Sequence, residues 1–188
     1  MRSLTVITMS MVLAVTGCAS MPGGVSTNVS SFDGTREVFM EPAPVPTPGN
    51  MLAISVQLGA HWSSSHPNTV ELIARIPQGV TTIQKENGLQ FNISGEITSL
   101  SSDVTFTEID SEVIYGIIYT ESSRSFIAPL EFVEELASAN SVGVRLRVGQ
   151  NQYYEAHMES GGMGGSALRS LNEFLINVYQ QKATMQAE

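Results

Sequence analysis

Apolar and polar residues alternate with a period of two along much of the chain, which predicts β-strands. The alternation is strict in residues 142–148, where four apolar side chains share one face and Arg145 and Arg147 lie on the other. Gly149, Gln150 and Asn151 then supply the turn of a hairpin to the next apolar run. The predicted strands are 36–40, 52–58, 70–76, 89–93, 104–109, 113–119, 142–148 and 153–158.

Two segments have helical spacing instead. Residues 129–139 begin at Pro129 and place four apolar side chains on one face, and residues 166–181 follow a glycine-rich run with Ser166 as the N-cap. We therefore predict an α+β fold. It consists mainly of an antiparallel β-sandwich or a partly open barrel, with two helices in the C-terminal half that pack on the sheets.

Length and composition favour a single domain. The 188 residues are enough for one packed core but few for two. The only cysteine is Cys18, so no intramolecular disulfide can form. The net charge is −9, and it becomes −10 when residues 1–17, which contain Arg2 and no acid, are removed. This charge argues against nucleic acid as a partner, because phosphate binding depends on clustered Lys and Arg.

The first 18 residues have the pattern of an export signal. Arg2 is followed by an apolar run from Leu4 to Val15, which is too short to span a bilayer. The run ends in Val15, Thr16, Gly17 and Cys18, and this tetrad resembles the lipobox of bacterial lipoproteins. The resemblance implies cleavage between Gly17 and Cys18 and attachment of two or three acyl chains to Cys18, which hold a protein stably on a membrane.

The residue after Cys18 is Ala19, not the Asp that favours inner-membrane retention in enteric-type lipoproteins. For a Gram-negative source, the resemblance therefore implies a lipid-anchored protein on the periplasmic side of the outer membrane. The alternative is an ordinary secretory signal that is cleaved elsewhere, for instance after Met21, in which case Cys18 is discarded.

These features divide the chain into three parts. Residues 1–17 are the signal peptide, 18–30 the lipidated N-terminus and a flexible linker, and 31–188 a single β-rich extracytoplasmic domain. Within that domain, proline at every second position makes residues 41–50 an extended connection and not a central strand. The element order across residues 125–180 is similar to that of small periplasmic β-sandwich proteins of the invasion-associated locus B type.

Few residues suggest chemistry. His61 and His66 are weak candidates for a metal site, which needs a third ligand from Glu71, Asp103 or His157. Two histidines in a serine-rich loop are more often plain surface residues, so we predict neither a metal nor another cofactor. The glycine run before Ser166 lacks the lysine of a phosphate-binding loop and is better explained as a turn.

Two other sets of residues leave alternatives open. Glu108, Asp110 and Glu112 alternate along one strand and form either an acidic site or a solvated strand face. The remaining set consists of aromatic residues, which line a ligand groove or belong in part to the core. They are Trp62, Tyr115, Tyr119, Tyr153, Tyr154 and Tyr179.

The sequence contains no complete catalytic constellation. We therefore expect a non-catalytic lipoprotein that binds another component of the cell envelope. A module for a small apolar or lipidic ligand is the first alternative, and it requires an enclosed pocket. A tethered periplasmic hydrolase is the second, and it requires His61, His66 or His157 beside Ser or acidic partners in a cleft.

Overall fold

A computed structural model describes residues 22–47, 50–115, 117–161 and 165–187, with the side chains of 50–55, 114 and 165 outside the description. Ten strands and two helices follow one another in these residues. They are β1 Val25–Val29, β2 Arg36–Thr47, β3 Asn50–Ser63, β4 Thr69–Ile76, β5 Leu89–Ile93, β6 Glu96–Leu100, β7 Glu108–Ile114, β8 Ile117–Pro129, α1 Leu130–Ser138, β9 Ser141–Val148, β10 Gln152–Glu159 and α2 Gly165–Ala187.

The strands form two antiparallel sheets. The larger sheet curls into a half-barrel with the order β1-β2-β3-β4-β8-β7, and the smaller has the order β10-β9-β5-β6. Strand β10 packs against β2 and β3, while α2 packs on β2 and on α1. The predicted α+β class with mainly antiparallel sheets and two helices is therefore confirmed.

One continuous core fills the space between the sheets and helices. The strict alternation of β9 puts its four apolar side chains inward, as the sequence predicts. The largest fully buried side chains come from both sheets and from α2, so the three layers share this core. Among them are Trp62, Phe91, Phe126 and Phe174.

Arg124 is a charged residue inside this core, on the inward face of β8. Its guanidinium donates hydrogen bonds to the Val104 carbonyl (2.6 Å), the Thr107 hydroxyl (3.2 Å) and the Thr105 carbonyl (3.5 Å). Burial lowers the pKa of this guanidinium. Arg124 thus ties the loop before β7 to the sheet and fixes the position at which β7 begins.

Two segments differ from the sequence prediction near the N-terminus. Part of the predicted 18–30 linker is strand β1, which pairs with the first residues of β2. Gly23 is buried, and a Cβ atom at this position would lie 2.5 Å from the Ser170 hydroxyl oxygen of α2. The polar composition of residues 22–30 does not indicate a linker, because an edge strand facing water is itself polar.

Residues 41–47 of the predicted connection 41–50 are extended, as predicted, but they are not a connection, because they continue β2 and pair with β3. Successive N–H groups of a regular strand point to opposite sides, and the β2–β3 register is regular from Ala43 to Val45, around Pro44. Pro44 is opposite Gln57 and cannot donate to it, which leaves Ala43 and Val45 to bond with β3. The strand β1 pairs with β2 only up to Met40, so the donor that Pro44 lacks would face a side without a strand partner in the described residues.

The predicted strands 104–109 and 113–119 are wrong in their boundaries. Strand β7 begins only at Glu108, and the chain reverses near Tyr115, which has a positive φ of 51°. The predicted strand 113–119 therefore contains the turn between β7 and β8, and its apolar residues lie on both sides of that turn. Strand β6 escapes sequence prediction because only Ile97 and Leu100 are apolar in it.

Candidate functional site

The outward face of the four-stranded sheet has a shallow depression of about 210 Å³. It forms over Gly143, which has no side chain and is the third residue of β9. Gly143 lies between Asn92 of β5 and His157 of β10. A Cβ atom at Gly143 would be in ordinary contact with the Asn92 side chain at 3.4 Å. Packing therefore does not require glycine here, and its visible effect is to open the sheet surface.

Arg145 is the cation at the edge of this depression. Its Nε and Nη2 atoms both donate to Oε1 of the cross-strand residue Glu155, at 3.1 and 2.7 Å. Its guanidinium also lies 4.6 Å from the ring centre of Tyr153. An arginine held in place by a carboxylate and an aromatic ring loses little side-chain freedom when it binds a partner, and Arg and Tyr are enriched where interfaces derive most of their energy.

His157 lines the same depression. Its Nε2 atom lies 3.2 Å from the Ser141 hydroxyl and 3.1 Å from a Glu159 carboxylate oxygen. A catalytic triad needs the serine on one ring nitrogen and the acid on the other, so that the acid orients the imidazole that accepts the serine proton. Serine and acid share one nitrogen here, and this geometry is not that of a triad.

His61 lies on the outward face of the larger sheet. Its Nδ1 atom is 3.2 Å from Glu71 Oε2 and its Nε2 atom is 3.6 Å from Glu37 Oε1. The two carboxylates are on opposite sides of the ring and do not converge on one position where a metal ion could bind His61.

The metal hypothesis also gains no third ligand from the fold. His66 shares a recess with His61 but is exposed in the turn after β3. In the part of the chain that the structure describes, no group of three His, Cys, Asp or Glu side chains could hold a metal ion.

The aromatic residues do not form one groove. Trp62 is fully buried and donates its indole N–H to the Pro67 carbonyl, whereas the five tyrosines are at least partly exposed and dispersed. Tyr153 contacts Arg145, Tyr179 bonds with Glu134, and Tyr115 and Tyr119 lie at the turn after β7. The acids Glu108, Asp110 and Glu112 all lie exposed on β7.

The depression contains residues that sequence reasoning did not select, namely Gln90, Asn92 and Gly143. The glycine is a usable signal, since it interrupts a strand of otherwise strict alternation. Gln90 and Asn92 on β5 cannot be recognised as site residues from the sequence, because their position beside β9 depends on long-range strand pairing.

Gly17 and Cys18, the predicted cleavage and lipidation residues, lie outside the described residues, and so do Gly162 to Gly164 of the glycine run. Neither α1 nor α2, the helices within the described ranges, is long and apolar enough to cross a bilayer. No protein-family model, no curated protein and no solved structure matches this chain.

Proposed function

We propose that this protein is a lipid-anchored, non-catalytic accessory protein on the periplasmic side of the outer membrane. It is held there by acyl chains on Cys18 and binds another envelope component through the depression around Gly143. The observation that carries the anchor is the lipobox Val15-Thr16-Gly17-Cys18, which contains the only cysteine of the chain.

The fold supports a short tether. The chain is part of the domain from Gly23, which is buried against α2, and Gly23 follows Cys18 by five residues. Five extended residues reach at most about 17 Å. The acylated cysteine would therefore keep the domain close to the bilayer surface, and a partner within reach is itself membrane-attached or lies next to the membrane.

The surface around Gly143 supports the binding role. It combines a concave centre with a held arginine, an exposed tyrosine and hydrogen-bonding side chains, which is the composition of a polar protein interface. A protruding side chain or loop of the partner fits a depression of this size. Arg145, with Glu155 beside it, would recognise a group that carries both an acceptor and a donor.

Metabolic labelling with palmitate tests the anchor. We expect the unaltered protein to incorporate labelled palmitate and to fractionate with the outer membrane, whereas the Cys18→Ala variant does neither. Palmitate incorporation by the Cys18→Ala variant would refute the assignment of the anchor to this residue.

Crosslinking of intact envelopes tests the binding surface. Gly143→Leu fills the depression and Arg145→Ala removes its cation, so both variants are expected to lower the yield of the crosslinked partner at least about tenfold, as loss of a central interface contact does. Arg169→Ala, which removes an exposed arginine from α2, is the matched control and should retain the yield. An equal loss in all three variants would exclude the depression as the binding site.

A further inference from the structure

Strands β7 and β8 form an arm that continues past the end of the neighbouring strand β4. The pairing of β8 with β4 ends at Ser122, opposite Ile76, whereas its pairing with β7 continues to Ile117. Beyond the hydrogen bond from Gly79 N–H to the Thr120 carbonyl, the outer part of the arm is a two-stranded hairpin. A two-stranded hairpin has no core, so its side chains remain open to the surroundings.

The end of this arm is an apolar cap, which we define as residues 113–115 and 117–119. Its described side chains are those of Val113, Tyr115, Ile117, Ile118 and Tyr119, and they are between 48 and 100% exposed. Val113 is opposite Ile118 on one face of the hairpin, while Ile117 and Tyr119 lie on the other face. A cap that is apolar on both faces can be buried only by surroundings that enclose it from both sides.

Charge begins immediately below the cap. Glu112 is opposite Tyr119, and Asp110 is opposite Glu121, so these three acids form a carboxylate band on one face of the arm, whereas Ser111 and Thr120 lie on the other face at this level. The cap extends over about three residues on each strand, which is a depth of about 10 Å. This is close to the depth to which apolar faces enter the interface of a bilayer, where tyrosine is also favoured.

The cap lies at the end of the larger sheet where the chain enters it. Strand β1 starts at Val25 opposite Met40, and the strand register then relates Met40 to Ala60, Ala60 to Leu72 and Leu72 to Phe126. Gly24, whose carbonyl accepts from Glu41 N–H, and Gly23, which lies beside Ala43, therefore lead toward one end of the sheet. The residues of β8 before Phe126, which include those of the cap, extend toward the same end. The tether from Cys18 reaches the domain at this end.

From these observations we propose that the apolar cap of the β7–β8 arm inserts into the surface of the bilayer that holds the lipid anchor. The inference rests on the proposed function for its anchor. The short tether keeps the arm near the bilayer, the bilayer encloses both faces of the cap, and the carboxylate band remains in water. Insertion gives the domain a second membrane contact and fixes its orientation, which a single point of attachment cannot do.

A fluorescent label at the cap tests the insertion in the mature, acylated full protein in phosphatidylcholine vesicles. Tyr115→Cys introduces the only unmodified thiol, because Cys18 is acylated, and this thiol receives an environment-sensitive fluorophore. Phe32→Cys is the matched control, since Phe32 is also a fully exposed aromatic residue, but at the turn between β1 and β2 at the opposite end of the sheet. The emission of the label at 115 should shift to shorter wavelength and be quenched by nitroxide-labelled acyl chains, and the emission of the label at 32 should not change.

Charge substitutions provide a second, quantitative test. Ile117→Asp should lower the equilibrium constant for insertion at least about tenfold, because burial of an isoleucine side chain is lost and a charge is added. Ile176 on α2 is 57% exposed, nearly the same as Ile117 at 58%. Ile176→Asp should therefore change the equilibrium constant for insertion less than twofold. Anionic lipids should also weaken insertion, because they repel the carboxylate band.

The outcomes separate the cap from the anchor, because the intact mass of the same preparation shows whether Cys18 is acylated. The insertion is wrong if the protein is acylated and its label at 115 behaves like the label at 32. It is also wrong if the two aspartate variants of an acylated protein act alike. A mature protein that proves unacylated overturns the anchor. The label at 115 is then placed in a Cys18→Ser background, where it is again on the only thiol, and its response to added vesicles supports the insertion. An unacylated protein without that response overturns both.

Discussion

Replacement of Gly23 by alanine tests whether the chain is part of the fold from this residue, on which the short tether depends. Gly23 has a φ of +77°, and an added Cβ atom would lie 2.5 Å from the Ser170 hydroxyl oxygen and 3.2 Å from the Ala43 Cβ atom. Gly34 has nearly the same φ, +73°, but a Cβ atom added there would have no neighbouring atom within 4 Å. The pair therefore separates backbone strain from contact with α2.

The magnitudes follow from these two terms. A left-handed backbone conformation costs a residue with a Cβ atom about 1–2 kcal/mol, and we expect Gly34→Ala to lower the free energy of unfolding by this amount. Gly23→Ala adds overpacking against Ser170 and Ala43, which costs about 1–3 kcal/mol more. The hydroxyl of Ser170 can rotate away, so the lower half of that range applies.

Equilibrium unfolding in urea, followed by the fluorescence of the single tryptophan, Trp62, measures both variants. Combining Gly23→Ala with Ser170→Ala removes the closest contact and should reduce the loss of stability toward that of Gly34→Ala, while the 3.2 Å contact with the Ala43 Cβ atom remains. If Gly23→Ala destabilises no more than Gly34→Ala in the unaltered background, residue 23 does not pack on α2. The tether would then be longer than we infer.

Three further predictions concern other parts of the molecule. Arg124→Met removes the hydrogen bonds to the loop before β7 and should lower the free energy of unfolding by about 3 kcal/mol, which lowers the urea midpoint. The control Arg75→Met removes only the Arg75–Glu121 ion pair on the neighbouring strand and should cost less than about 1 kcal/mol. Equal losses in the two variants would contradict the role of Arg124. Hydrogen bonds from the Ser30 side chain and the Thr35 backbone lower the pKa of Asp33, so its carboxyl carbon should titrate in NMR below the usual value of about 3.9, and a midpoint above it would contradict these bonds. Equimolar zinc should leave the His61 ring resonances unchanged, because Glu37 and Glu71 lie off opposite ring nitrogens, and a shift of both ring carbons would show a metal site.

The elements with strong local patterns can be predicted from the sequence. Strand β9 and its hairpin to β10 have strict alternation and a turn sequence between them, and α1 has a proline at its start and a clear apolar face. These features act over neighbouring residues, so they can be recognised without knowledge of the fold. Strand β3 and helix α2 are longer than their sequence patterns predict, because pairing and packing extend an element beyond its own pattern.

The segments that differ from the sequence prediction obtain their structure from distant residues. Strand β1 is polar and exists through pairing with β2, and Pro44 is accommodated because β2 has no strand partner beyond Met40 on that side within the described ranges. The pattern of the apolar cap predicts a single strand because periodicity does not distinguish a buried strand from an exposed turn between two strands. The Gly143 depression likewise needs three strands in register, which no local pattern reveals.

The intact mass of the mature protein, purified from its own membranes, tests the central claim most directly. We expect a chain that begins at Cys18 and carries a diacylglyceryl group, with or without a third acyl chain on its amine. A mature chain that begins after Cys18, or that begins at Cys18 without acyl chains, would contradict the proposal that this protein is an envelope lipoprotein.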